Sequence, residues 1–301
     1  MRGENARFGH VLTAMVTPFD NEGNVDYIRT AEIAQYLRAN GTDTVVINGT
    51  TGESPTTSAE EKLRLVRAAV EAVGAAHVMA GVGGNNTAEV VELAKQSQEA
   101  GASSLLAVVP YYNKPSQEGL YRHFRAVADA TPLPIVLYNV PGRTITNLDP
   151  VTTARLAADT HNIVAIKEAS ANLWQVGETL RTTPDTFDVY SGDDSTILPL
   201  LSLGGAGVIS VVSHIIGPDL AAVHRAWFAD HREEAAQLFL RTLPLTQAIF
   251  SAPSPAPLKY AMETVGVPAG GVRLPLIELT DAEKQVVLKA LSDYGLFIQK
   301  V

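Results

Sequence analysis

Lys167 closes the run Ile163-Val-Ala-Ile166, and of the eight lysines in the chain it alone ends a β-branched run. An apolar pocket disfavours the ammonium form and leaves a free amine able to attack a carbonyl. An ion pair with Glu168 or another neighbour is the competing role for the same side chain. Tyr138 closes Ile135-Val-Leu137 in the same manner, and Asn139-Val-Pro-Gly-Arg143 follows it. A phenol beside an imine-forming lysine can pass protons to and from a carbinolamine oxygen; a packed tyrosine with a hydrogen-bonded hydroxyl is the plainer use. The planar fork of Arg143 suits a carboxylate, although a loop arginine also serves a surface or an interface.

Asn48-Gly-Thr-Thr-Gly-Glu-Ser54 follows the run Val45-Val-Ile47. Glycines and small hydroxyls offer N–H and O–H groups to an anion such as a substrate carboxylate. The loop lacks the Gly-Lys-Ser/Thr ending of a nucleotide-binding loop, and a tight turn into a helix cap at Ser58 is its structural alternative. Gly81-Val-Gly-Gly84 is too short for a dinucleotide fingerprint and reads as a turn. Tyr111-Tyr-Asn-Lys-Pro115 is expected to project from a strand end, where its aromatics close a site, fill a neighbouring subunit's pocket or pack locally. The seven histidines show no metal-binding spacing, so no metal is expected. With no cysteine there is no disulfide, thiolate metal site or cysteine nucleophile.

These residues need a scaffold that brings strand ends together. The chain has 301 residues, 46% of them hydrophobic and 18% charged, which suits a folded protein with a large core. An amphipathic stretch, a glycine and a Val/Ile/Leu-rich run recur: Gly41, Gly74, Gly101 and Gly204 each precede such a run. Eight runs result, at residues 11–16, 44–47, 78–80, 105–109, 135–138, 163–166, 187–190 and 208–212. Their unbroken apolar character fits parallel strands covered by helices. Ser58-Ala-Glu-Glu61 reads as a capping box, with Leu63, Val66, Val70 and Val73 on one face of the helix that follows. Asp149-Pro150 reads as an N-cap, and Leu120, Phe124, Val127 and Ala128 form another stripe.

The predicted fold is α/β, a (β/α)8 barrel over residues 1–230 followed by a helical domain over 231–301. The tail reads as three helices, over 233–250, around 258–265, and after a Thr280 cap. A doubly wound sheet is the rival, but no glycine-rich phosphate turn follows the first strand. A net charge of -9 without a basic run disfavours nucleic acid. Residues 195–218 carry no charge, yet Pro199, Gly204, Gly205, Gly207, several serines and His214 break the stretch into a helix, a turn and a strand instead of a membrane span. The polar N-terminal segment points to the cytoplasm.

Gly49-Thr-Thr-Gly-Glu-Ser54, Tyr138-Asn-Val-Pro-Gly-Arg143 and Lys167-Glu-Ala together resemble the dihydrodipicolinate synthase family, and the resemblance covers essentially the whole chain. Pro110-Tyr-Tyr-Asn113, Ser191-Gly-Asp-Asp194 and Gly207-Val-Ile-Ser-Val211 extend it in the same order. The resemblance implies a lyase of the class I aldolase type that condenses pyruvate with L-aspartate 4-semialdehyde in lysine and diaminopimelate biosynthesis. Lys167 matches the imine-forming residue and Tyr138 the proton donor and acceptor, with Thr50 and Tyr112 completing its relay and Tyr112 arriving from an adjacent subunit. Thr51, Gly192 and the Ile209 backbone match pyruvate contacts, and Arg143 matches the clamp on the semialdehyde carboxylate. No cofactor is implied beyond the covalent imine, and a homotetramer built as a dimer of dimers is expected. Ser54, Asn85, Glu89 and Tyr111 match a site for the effector L-lysine, but Ala59 and Lys62 stand where sensitive members carry histidines, so weak or absent inhibition is expected. N-acetylneuraminate lyases and keto-deoxy sugar-acid aldolases share the imine chemistry, and Arg143 speaks against them. A noncatalytic barrel that serves as a binding protein is the reading from another class, and it would be expected to lose Lys167 or Tyr138.

Overall fold

A computed structural model of the chain describes residues 3–297, so residues 1–2 and 298–301, the outer ends of the two expected spans, lie outside the described residues. The eight strands are β1 Val11–Ala14, β2 Thr44–Ile47, β3 Val78–Gly81, β4 Ser104–Val108, β5 Ile135–Asn139, β6 Ile163–Glu168, β7 Asp188–Ser191 and β8 Gly207–Ser210. They pair in sequence order, all parallel, and β8 pairs back onto β1 to close a barrel. The rival doubly wound sheet is thereby excluded.

Alternation along each strand divides the core into two shells. Leu12, Val46, Met79, Leu106, Val136, Ala165, Tyr190 and Ile209 fill the barrel interior. Val11, Val45, Ile47, Leu105, Ile135, Leu137, Ile163 and Ile166 face the surrounding helices, which explains the unbroken apolar runs. The same alternation aims the site residues: Tyr138 is two positions beyond Val136 on β5, and Lys167 two beyond Ala165 on β6, so both point inward at the C-terminal mouth.

Local signals act largely as expected. Gly41, Gly74, Gly101 and Gly204 all take a positive φ where helices give way to strands. Ser58 forms a reciprocal capping box with Glu61 at the helix Ala59–Val73, and Thr280 does the same with Glu283 at Asp281–Tyr294. The fully buried residues of Ala59–Val73 are Leu65, Val66 and Ala69; of the expected stripe Val66 is buried, and Leu63, Val70 and Val73 are partly buried and pack against the core. Asp149 occupies the N-cap of Pro150–Asp159, but its carboxylate accepts from Asn147 Nδ2 and makes no side-chain cap bond.

Residues 195–218 hold the helix Ile197–Ser202 and β8, but the strand ends at Ser210 and the helix Ser213–Phe228 begins within the stretch. Pro218 lies near that helix's start, and Ile216 breaks its φ/ψ. Among the described residues no helix is long and apolar enough to cross a membrane. Three helices follow, Arg232–Ile249, Ala256–Thr264 and Asp281–Tyr294, the first packed along Ser213–Phe228.

Candidate active site

β5 and β6 lie side by side with Tyr138 opposite Lys167 and Asn139 opposite Glu168. Lys167 falls within its strand, which runs on through Glu168, and is only 4% exposed. Its Nζ stands 4.4 Å from the centre of the Tyr138 ring. The competing ion pair with Glu168 does not form, since Glu168 points to the opposite face. There its buried carboxylate accepts from Asn139 Nδ2 at 3.1 and 3.2 Å, Gln175 Nε2 at 2.8 Å and the Ser170 N–H at 2.9 Å. Asn147 joins Asn139 to Gln175, and the Leu148 N–H donates to Asn139 Oδ1. This network ties the ends of β5 and β6, and the turn that carries Arg143, into one unit.

The Tyr138 hydroxyl has no hydrogen-bond partner among the described residues, so its use as a packed and satisfied tyrosine is not realised. Arg143, in the short helix Pro141–Thr144, is exposed and makes no ion pair among the described residues. In the loop after β2, Thr50 is half-buried and Thr51 buried. Thr17 Oγ1 donates to the Gly52 carbonyl at 2.6 Å, and the Glu53 N–H to the Thr50 carbonyl at 3.0 Å. Gly83 lets this end of the barrel close: a Cβ there would stand 2.3 Å from the Val108 backbone nitrogen.

A cavity of about 740 Å³ opens above these groups. Thr50, Tyr138 and Arg143 share its wall with Ser54, Ala59, Lys62, Asn85, Glu89 and Tyr111, so the residues expected to hold an effector and those expected to do chemistry face one space. Lys167, Thr51, Ile209, Gly192 and Tyr112 do not line it. Lys167 reaches it only through its contact with Tyr138, and Ile209 is buried in the interior shell beside Tyr138. Gly192 makes room for the Lys167 side chain: a Cβ at 192 would meet Ala169 Cβ at 2.5 Å and Lys167 Cε at 3.0 Å. Tyr112 points away from the cavity, 87% exposed, on a backbone with φ of 73°. Lys62 Nζ donates to the Thr57 carbonyl, and burial pushes its pKa down.

Two charged residues escaped the sequence reading. Lys259 is as buried as Lys167, at 3% exposure, and forms an ion pair of 2.9 Å with Glu53 of the hydroxyl loop. Burial holds its pKa down to about 8. The signal available was a lysine inside the apolar helical string Ala256-Pro-Leu-Lys-Tyr-Ala-Met262. No group of three or more His, Asp or Glu among the described residues could hold a metal ion.

Residues 7–294 match the dihydrodipicolinate synthetase family. The 4-hydroxy-tetrahydrodipicolinate synthase of Bacillus subtilis strain 168 is 50% identical over 287 residues, 95% of this chain and 99% of that protein. A crystal structure of a dihydrodipicolinate synthase from Bacillus anthracis is 45% identical, covers 95% of this chain and 98% of its own, and superposes with a TM-score of 0.92. The enzyme of Cyanidioschyzon merolae, solved with lysine bound, is also 45% identical, covers 96% and 99%, and gives a TM-score of 0.94.

Proposed function

The chain belongs to the dihydrodipicolinate synthetase family, and from that footing we propose how its residues perform the reaction of a 4-hydroxy-tetrahydrodipicolinate synthase. The enzyme is a lyase of lysine and diaminopimelate biosynthesis that condenses pyruvate with L-aspartate 4-semialdehyde. The amine of Lys167 attacks the ketone of pyruvate, and loss of water leaves an imine. Loss of a methyl proton turns the imine into an enamine, whose carbon adds to the semialdehyde carbonyl. The amino group of the bound semialdehyde then attacks the imine carbon and displaces Lys167 as the ring closes.

Each departure and addition at oxygen needs a proton moved at one place, and Tyr138 is the hydroxyl beside Lys167. Its unpartnered state in a single chain supports a relay completed by Thr50 and by Tyr112 of a neighbouring copy, since Tyr112 here faces outward. Thr51, Gly192 and the Ile209 backbone hold pyruvate, and Arg143 holds the semialdehyde carboxylate. The protonated imine is itself the electron sink, so the chemistry calls for no metal or organic cofactor. A homotetramer assembled as a dimer of dimers and a cytoplasmic site of action complete this reading.

The observation that carries it is the register of β5 and β6, which sets Lys167 Nζ 4.4 Å from the Tyr138 ring at the barrel mouth. Borohydride added with pyruvate is expected to fix a three-carbon adduct on Lys167. An adduct on another lysine, or none, would sink the mechanism.

We infer a weak or absent response to L-lysine at the wall formed by Ser54, Ala59, Lys62, Asn85, Glu89 and Tyr111. Lys62 lines that wall, its ammonium donating to the Thr57 carbonyl, and there it repels a cationic effector. Titration of L-lysine at half-saturating pyruvate is expected to leave the rate nearly unchanged, and half-inhibition below a millimolar concentration would refute the inference.

A further inference from the structure

Glu53 sits in the loop of residues 49–54, immediately after Thr50, Thr51 and Gly52. It adopts the left-handed conformation, with φ of 54° and ψ of 38°. For a residue other than glycine that conformation is disfavoured by contact between Cβ and the backbone, so something must hold it there. Its carboxylate is buried, at 1% side-chain exposure, and both groups that meet it come from more than 200 residues further along. Lys259 Nζ lies 2.9 Å from one oxygen, and the Arg273 N–H donates to the other at 2.9 Å.

These two residues are anchored in turn. Lys259 Nζ donates to the Gly271 carbonyl at 2.6 Å and lies 4.2 Å from the Phe19 ring centre, which Arg273 approaches to 4.4 Å. The Arg273 guanidinium takes Glu61 as a two-point partner at 2.6 and 3.0 Å and also donates to the carbonyls of Thr56 and Gly23. Phe19 donates its N–H to the Ala269 carbonyl. The loop is therefore gripped from behind by the segment that follows the barrel, while Thr50 and Ser54 on its front line the cavity.

We propose that Lys259 and Arg273 hold Glu53, and through it the loop of residues 49–54, in the shape that receives the pyruvate carboxylate, which makes Glu53 and Lys259 positioning residues for the reaction. The proposal rests on the assignment of that loop to pyruvate. A buried carboxylate deprived of its cation is strongly disfavoured and moves toward water, and a left-handed turn has no conformational preference of its own to resist that movement. Lys259 itself cannot serve as the nucleophile, because its nitrogen is engaged by the Glu53 carboxylate and the Gly271 carbonyl.

Coupling between two sites is reciprocal, so pyruvate fixed on the enzyme must also steady the segment that grips the loop. Amide hydrogen exchange on the wild-type full-length protein, with and without pyruvate reduced onto Lys167, is expected to slow both in residues 49–56 and in residues 256–273. Slowing confined to residues 49–56 would overturn the proposal. Unchanged exchange in residues 49–56 would instead remove the pyruvate assignment on which it stands. In steady-state kinetics, Lys259→Met is expected to raise the pyruvate KM at least tenfold with kcat within threefold. The double variant Lys259→Met with Glu53→Gln, which removes the unpaired charge, should return the KM to within threefold of wild type. A folded Lys259→Met enzyme with an unchanged pyruvate KM, or a double variant as impaired as the single one, would refute the role. If Lys259→Met fails to fold, the exchange measurement decides alone.

Discussion

Lys167 and Lys259 are both buried, at 4% and 3% exposure, yet their surroundings differ in the respect that decides attack on a carbonyl. Lys259 is paired with a carboxylate and a carbonyl, whereas Lys167 meets the face of a tyrosine and no anion among the described residues. Depression of a lysine pKa marks burial, and it is found at both Lys62 and Lys259, so geometry has to choose the nucleophile. In the proposed mechanism, removal of Arg143 is expected to separate the two half-reactions. Arg143 is exposed and makes no ion pair among the described residues, so the interaction energy is expected at the low end of the ~2–5 kcal/mol measured for desolvated charge pairs. Arg143→Ala is expected to raise the semialdehyde KM on the order of thirtyfold and to leave borohydride trapping of pyruvate intact. Equal losses in trapping and in semialdehyde kinetics would show that Arg143 does something else.

At the level of elements, the site depends on how strand ends are held relative to one another. Register places Tyr138 against Lys167, and the Glu168–Asn139–Gln175 network fixes the ends of both strands from the far face. The end of β7 contributes an absence of side chain: Gly192 donates its N–H to the Glu168 carbonyl and leaves space for the Lys167 stem. Gly192→Ala brings a Cβ to 2.5 Å from Ala169 Cβ and 3.0 Å from Lys167 Cε, an overpacking that typically costs ~1–3 kcal/mol. The Lys167 stem is the more flexible neighbour, so it is expected to move, with kcat falling at least tenfold and imine trapping slowed. Gly177→Ala is the matched control, since a Cβ there meets nothing within 4 Å in the helix Leu173–Thr182; it should hold activity and gain up to ~1 kcal/mol. Unchanged kcat in Gly192→Ala would mean that the lysine stem does not need that space.

For the whole molecule, the proposed relay would need a second chain to complete it. Tyr112 stands exposed while Tyr138 lacks a hydroxyl partner among the described residues. If a second copy supplies Tyr112, each site draws on two chains. Tyr112→Phe and Tyr138→Phe are then each expected to be nearly inactive alone and to regain part of the activity when mixed, because hybrid dimers contain one intact site. No recovery despite demonstrated subunit exchange would assign Tyr112 to its own chain or to no role.

Most of the barrel was readable from local patterns. Parallel strands buried on both faces must be continuous apolar runs, and the glycines that end helices must take positive φ, so the eight runs and the four glycines marked the units before any contact was known. Strand-end polar residues likewise picked out Lys167, Tyr138 and the hydroxyl loop, since only the ends of such runs reach the mouth. Strand limits shifted by at most two residues, as with β6 running through Glu168, because hydrogen bonds to neighbouring strands, and not side-chain type, decide where a strand stops. What remained for the tertiary structure was everything that depends on long separation in sequence. Whether Glu168 pairs with Lys167 or turns away is settled by Asn139, Gln175 and the alternation of the sheet. That a glutamate at position 53 would be held by residues 259 and 273 has no local signature at all, since a buried charge is stabilised by whatever partner the fold delivers, and sequence spacing carries no record of that delivery.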